Sequence, residues 1–188
     1  MCNLYSLTKG QAAIRDWFRA TYDRTGNLPL FPGIFPDQMA PIVRAGADGE
    51  RELVMARWGM PGPPQFGGAP ITNIRNVGSP HWRGWLGKKN RCIVPATSFC
   101  EYEDTKPRKT PTWFALAEDR PLFAFAGLWT HWRGVRGPKS AIPAAPPPSA
   151  RTISEQNTRA TLVAARSPIS ISVNELSSRP APTTLHYE

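Results

Sequence analysis

The residue with the most chemical potential is Cys2, directly after the initiator methionine. Methionine aminopeptidase removes Met1 when the next side chain is small, and cysteine qualifies. The mature chain would then begin with a free α-amine and a thiol on one residue. Such an aminothiol attacks an aldehyde twice: the amine forms an imine with loss of water, and the thiol adds to the imine carbon to close a thiazolidine ring. Thiolate is the strong nucleophile, and a terminal amine with a pKa near ~8 is reactive at neutral pH. Taken alone, a cysteine at this position is better read as incidental. The other cysteines, Cys92 and Cys100, lie in apolar, strand-like runs and read as inert core thiols. Three cysteines without paired metal spacing predict reduced thiols in a cytosolic protein, with neither disulfide nor zinc and no cofactor.

A second chemical pattern is electrostatic. The net charge is +9 and the isoelectric point is near 10.0, which suits a polyanionic partner. Arg75, Arg83, Lys88, Lys89 and Arg91 are interleaved with Trp82 and Trp85. Cations for phosphates beside flat rings for bases are what binding of single-stranded nucleic acid requires. A solvated helix whose tryptophans fill the core is the competing reading.

The elements that must position these residues can be read from periodicity. Thr8 and Gln11 have capping-box spacing, and Ile14, Trp17, Phe18 and Tyr22 recur at helical intervals. This predicts one amphipathic helix of roughly four turns ending before Gly26. A loop punctuated by Pro29, Pro32 and Pro36 follows. Strands are predicted at Ile42 to Arg44 and Leu53 to Trp58, joined through the hairpin signal Asp48-Gly49. Further strands read at Ile71 to Arg75, Arg91 to Pro95, Thr112 to Ala117 and Leu122 to Trp129, with a short helix opening at Ser79-Pro80. Many short strands and few helices predict an α+β fold with a mainly antiparallel, barrel-like sheet core and peripheral helices.

The composition breaks near residue 138. All seven tryptophans and all eight phenylalanines lie at or before Trp132. Beyond it the chain is rich in Pro, Ser, Thr, Ala and Arg, and its one aromatic residue is Tyr187. Ile169, Ile171 and Val173 alternate with serines as one strand would, but the segment carries too little apolar mass to offset its ordering entropy. The expected division is a domain over residues 1–137 and a disordered or divergent tail over 138–188. No apolar run reaches membrane-spanning length, and no secretory leader pattern opens the chain. A cytoplasmic, nucleoid-associated protein with no membrane partner, acting as a monomer, is expected.

Four ordered segments resemble the SOS response-associated peptidase (SRAP) family, whose members crosslink covalently to abasic sites in single-stranded DNA. The start Met-Cys-Asn-Leu-Tyr-Ser is similar to the family's N-terminus, with Cys2 in the nucleophile's place. Arg57-Trp58-Gly59-Met60-Pro61 resembles its Trp-Gly-Leu-x-Pro stretch, and Asn73-Ile74-Arg75 its Asn-x-Arg motif. Arg91-Cys92-Ile93-Val94-Pro95-Ala96, running into Ser98-Phe99-Cys100-Glu101-Tyr102, resembles its Arg-Cys-Leu-x-Pro-Ala-x-Gly-Phe-Tyr-Glu-Trp stretch. The resemblance covers residues 1 to about 137. It implies that Cys2 is the nucleophile and that Glu101 acts as general base and then general acid. Asn73 would hold the sugar oxygens, Arg75 would fork onto a phosphate, and Trp58 would either stack on a base or fill the core. One departure stands out. The family's histidine lies in a His-x-x-x-x-Pro-type segment, and none of His81, His131 or His186 does, so that role passes to none of them.

The reading is therefore a protein that senses abasic sites in single-stranded DNA and caps them through a Cys2 thiazolidine. The catalytic set would be Cys2, Asn73 and Glu101, and the DNA-binding set Trp58, Arg75, Arg83, Lys88 and Lys89. The rival readings are a thiol peptidase or amidohydrolase with an N-terminal nucleophile, and a non-covalent single-stranded DNA-binding module.

Overall fold

The structure, a computed structural model, describes residues 3–63, 70–132, 158–163 and 184–185. Its framework is the hairpin predicted around Asp48-Gly49. Strands β4 (Met39–Ala45) and β5 (Arg51–Trp58) pair antiparallel from Ala45↔Arg51 to Met39↔Arg57. Gly49 turns the chain at φ +85°, a conformation that costs glycine little, and the Asp48 carboxylate accepts from the Glu50 N–H at 3.0 Å. On the other side of β4 lies β7 (Arg91–Ala96), and beyond it β10 (Phe123–His131), both antiparallel to their neighbours.

Short strands complete this sheet. They are β2 (Tyr22–Asp23), β6 (Asn73–Ile74) and β11 (Thr158–Val163), giving among the described residues the order β2-β5-β4-β7-β10-β11-β6. β11 also runs parallel to β5, with Arg159 beside Arg57 and Ala160 beside Trp58. A second sheet has the order β12-β9-β8-β1-β3, built from β1 (Tyr5–Leu7), β3 (Phe31–Ile34), β8 (Ser98–Glu103), β9 (Thr110–Phe114) and β12 (Thr184–Leu185). The fold is thus α+β and dominated by mainly antiparallel sheet, as the many short strand-like runs and few helices predict. Two of its strands, β11 and β12, come from the segment beyond residue 137. Ile169, Ile171 and Val173 lie outside the described residues.

Between the sheets sits an aromatic core. Tyr5 packs edge-on against Trp58 (5.1 Å between centroids) and Phe125 (6.0 Å), while Phe99 stacks on its cross-strand partner Phe114 at 5.3 Å. Ile14, Ile34, Ile42 and Leu53 are buried around this cluster. A smaller cluster joins Met60, Ile74, Trp82 and Leu128. Next to Tyr5 in the same strand, buried hydroxyls lock β1 in place. Ser6 Oγ lies 2.6 Å from Ser98 Oγ and 3.2 Å from Thr97 Oγ1, and the Thr97 N–H donates to the Ser6 carbonyl at 2.8 Å. Buried polar groups need such partners, so this network fixes the register of the strand that carries the N-terminus.

The helix is shorter than the spacing predicts. α1 spans Gln11–Phe18 and stops where Arg19 turns left-handed (φ 51°), with the Ala20 N–H donating to the Arg15 carbonyl at 2.9 Å. Tyr22 leaves the helical stripe to pair with Glu52 as part of β2. The expected capping box does not form: the cap position is Gly10, without a side-chain cap bond. Thr8 instead bonds through both its N–H and its hydroxyl to Thr97 Oγ1, each at 3.1 Å. Gln11 ties down the following turn, donating to Asp23 at 2.6 Å and to the Gly26 carbonyl at 2.7 Å while accepting from the Leu28 N–H at 3.1 Å. Ile14 and Phe18, one turn apart, are buried as predicted, but Trp17 is 50% exposed.

Gly59 is the one glycine on which the site depends. It is buried, with φ +128°, and a Cβ there would sit 2.7 Å from Cβ of Pro70. Next to it, Met60 and Ile71 exchange both backbone hydrogen bonds, at 2.9 and 2.8 Å, which brings the Thr72–Asn73 segment back beside β5. Gly59→Ala is expected to cost at least about 2 kcal/mol, from a strained φ plus a clash with a rigid proline ring. Thermal unfolding of the two proteins measures it, and an unchanged midpoint would show that the close approach is relieved without cost.

Candidate functional site

The N-terminal segment enters the fold through β1, and its partner β8 sets its height. Tyr5 lies opposite Phe99, and the Cys100 N–H donates to the Leu4 carbonyl at 2.9 Å. One residue further out in sequence are Asn3, which precedes β1, and Glu101, which lies within β8. Alternation along β8 puts Glu101 on the face of Phe99, half-buried at the rim of the inter-sheet core.

From the other sheet the rim receives Thr72 and Asn73. The indole Nε1 of Trp58 donates to the Thr72 carbonyl at 2.9 Å, anchoring the segment to the core. Asn73 Nδ2 then donates to Asn3 Oδ1 at 3.1 Å and to Thr72 Oγ1 at 3.2 Å, while Thr72 Oγ1 donates to Asn3 Oδ1 at 3.1 Å. A closed triangle of polar groups thus joins the Asn73 motif to the residue that follows Cys2. Cys2 itself lies outside the described residues, and so does His186.

The structure sorts the remaining predicted residues. Glu101 is half-buried and Arg75 exposed. Arg83, Lys88 and Lys89 are exposed on two short 3₁₀ helices, Pro80–Trp85 and Lys88–Asn90, as is the neighbouring Arg91, which donates to the Leu86 carbonyl at 3.1 Å. Trp58 belongs to the core. At 3% exposure, with its edge against Tyr5 and its N–H satisfied, the ring presents no face on which a base could stack. Of the two expected outcomes for this side chain, packing is the one the geometry allows. Trp82 is likewise buried, whereas Trp85 is half-buried beside it, 6.0 Å between centroids.

Both described thiols are buried, as expected. Burial pushes the Cys92 thiol far up, only partly offset by Arg44. Cys100 is raised by burial and by the neighbouring Glu101 carboxylate. Neither supplies thiolate at neutral pH. His81 makes a hydrogen bond to the Pro61 carbonyl at 3.0 Å and packs against Trp82 and Trp85. His131 closes β10 beside Trp129, and desolvation of its ring, then Arg44, holds its pKa below the ordinary imidazole value.

Sequence reasoning missed two residues here: Asn3 and Thr72. Asn3 and Thr72 each adjoin a predicted site residue in sequence, which was the available signal.

Comparison with known proteins gives a consistent result. A family model described as SOS response associated peptidase (SRAP) matches residues 1–174. Abasic site processing protein YobE of Bacillus subtilis is 44% identical over 59 residues, a stretch that spans 31% of this chain and only 26% of YobE. Among solved structures, a Bordetella bronchiseptica protein superposes with a TM-score of 0.56 at 21% identity, over 97% of this chain and 82% of that one. A phage-related protein of the same organism gives 0.56 at 21% identity, over 86% and 68% of the two chains. A Bacteroides thetaiotaomicron protein gives 0.60 at 17% identity, over 86% and 67%. At these identities the structural likenesses establish the fold.

Proposed function

Because this chain belongs to the SOS response associated peptidase family, we propose that it processes abasic sites in DNA, and that it does so by covalent capture in single strands through Cys2. The observation that carries the reading is the triangle in which Asn73 is bonded to Asn3, the residue that follows Cys2. YobE's name points to the same lesion.

The chemistry follows from the groups. An abasic deoxyribose equilibrates between a closed hemiacetal and an open aldehyde, and only the open form accepts a nucleophile. Removal of Met1 supplies the aminothiol. Glu101 takes a proton from the α-ammonium of Cys2 and returns one to the ring oxygen as the sugar opens, while the hemiacetal hydroxyl gives its proton to water and becomes the aldehyde oxygen. The amine condenses with the aldehyde, water leaves, and the thiol closes the ring on the same carbon. Asn73 holds the sugar oxygens. The product shields the lesion, so the protein is a reagent and cap more than a turnover catalyst. In this reading residues 1–137 carry the work, without a cofactor, and the protein acts as a monomer at the nucleoid. No helix among the described residues is long and apolar enough to cross a membrane.

The deciding experiment mixes purified protein with an abasic single-stranded oligonucleotide and looks for a species that survives a denaturing gel. Absence of such a species, in protein shown by mass spectrometry to lack Met1, would sink the covalent reading. Arg75, exposed two residues from Asn73, is expected to grip a phosphate. Arg75→Ala should weaken binding to intact single strands and flatten the slope of log K against log salt by about 0.7, the share of one phosphate contact. An unchanged slope would remove Arg75 from the DNA-binding set.

A further inference from the structure

We infer that Asn3 is a positioning residue, acting through Asn73 to set the geometry in which the N-terminal aminothiol meets its aldehyde. This deepens the proposed covalent reading and rests on it. Two donors, Asn73 Nδ2 and Thr72 Oγ1, converge on one acceptor, Asn3 Oδ1, both at 3.1 Å. The bonded residues are 70 and 69 positions apart in the chain, so this contact, and not local sequence, joins the N-terminus to the Asn-x-Arg segment.

The arrangement divides the labour between rigid and free parts. Trp58 and the Met60–Ile71 bridge hold Thr72 and Asn73 against the core. Ser6, Thr97 and Ser98 hold β1. Asn3 lies outward of both anchors, is exposed, and lies beyond the last residue of the strand ladder. Its side chain closes the gap between the two sheets. With one Asn73 N–H2 group committed to Asn3 and Thr72, the amide plane is set, and with it the direction in which the amide meets a sugar oxygen. Misplacement of a reacting group by about 1 Å costs up to ~10²-fold in rate, so a clamp at this point acts on rate rather than on stability.

Charged groups on the segments that flank the clamp include Glu101 on β8 and Arg75, two residues past Asn73. They allow a readout that a purely structural residue would not move. Asn3→Asp keeps an acceptor oxygen for both donors but places a carboxylate one residue from the α-amine, within about 4 to 8 Å. A negative charge there favours the ammonium form and raises its pKa by about half a unit at solvent-like dielectric. The neutral amine is the reactive form, so the pH–rate profile should move to higher pH.

The experiment compares parent, Asn3→Ala and Asn3→Asp, each confirmed free of Met1 by mass spectrometry. Adduct formation with an abasic single strand, affinity for the intact strand, melting temperature and solvent exchange of the Asn73 side-chain amide protons are measured. We expect Asn3→Ala to slow adduct formation about 10- to 100-fold, with affinity and melting temperature unchanged and faster Asn73 amide exchange. Asn3→Asp should recover most of the rate above pH 8, with its midpoint displaced upward. A Cys2-dependent adduct that forms as fast in Asn3→Ala overturns the inference. So does an equal loss of rate and affinity, or an Asn3→Asp protein as slow as Asn3→Ala at every pH. If the parent forms no Cys2-dependent adduct, the functional reading fails by itself. Asn73 amide exchange then still judges the clamp, and exchange unchanged by Asn3→Ala overturns it.

Discussion

Cys2→Ala protein is expected to give no denaturation-resistant species with an abasic single strand, at times when the parent is largely converted. The argument is one of bond stability. The alanine variant keeps an α-amine and still condenses with the open sugar, but the product is an imine, which water hydrolyses. Only the thiol closes the ring and removes the C=N bond from hydrolysis. Borohydride added during incubation should therefore restore an adduct to Cys2→Ala by reducing the imine, separating the amine's role from the thiol's. Cys92 and Cys100 cannot substitute, since burial keeps both protonated at neutral pH. An equal yield from parent and variant without borohydride would show that another group is the nucleophile. Parent molecules retaining Met1 should be inert, because the amine is then tied up in a peptide bond.

Glu101→Gln is the second large effect. The substitution is nearly isosteric and the side chain sits half-buried at the rim, so the fold and the affinity for intact single strands should be unchanged. What is lost is a placed proton carrier, typically worth ~10²- to 10⁴-fold, so adduct formation should slow by about 10²-fold. An abasic analogue that cannot form the cyclic hemiacetal bypasses ring opening and should recover part of that loss. Equal loss of rate and affinity would assign Glu101 a structural role. No histidine is brought into this scheme, since neither described one lies in the family's His-x-x-x-x-Pro type of segment.

Much of the architecture is local and was legible for that reason. Short β-type runs bounded by turn residues identify β4, β5, β7 and β10, because strand propensity is a property of a short local segment. Asp48-Gly49 marks the turn because the positive φ is needed there. The proposed site residues Cys2, Asn73 and Glu101 were named from residue type and order together with the family resemblance. What escaped was short or decided at a distance. Strand β3 hides in a proline-rich run, and Pro32 is tolerated because β3 is the edge of its sheet, where a missing donor breaks no ladder. The helix end escaped because Tyr22 gains more from pairing with Glu52 than from one further helical turn, and Thr8 from Thr97 than from capping.

The sequence by itself determined which groups with reactive potential exist and in what order they occur: a thiol beside the terminus, an amide, a carboxylate and a run of cations. Tertiary structure alone decided which of them meet. Propensity and periodicity act over about four residues, whereas the bond that sets Asn3 beside Asn73 spans 70 residues, and the pairing of Tyr5 with Phe99 reaches further still. The energy that fixes it is stored elsewhere, in the buried Tyr5–Trp58 contact and the hydroxyl lock on β1, and no local window of the chain contains both halves of either.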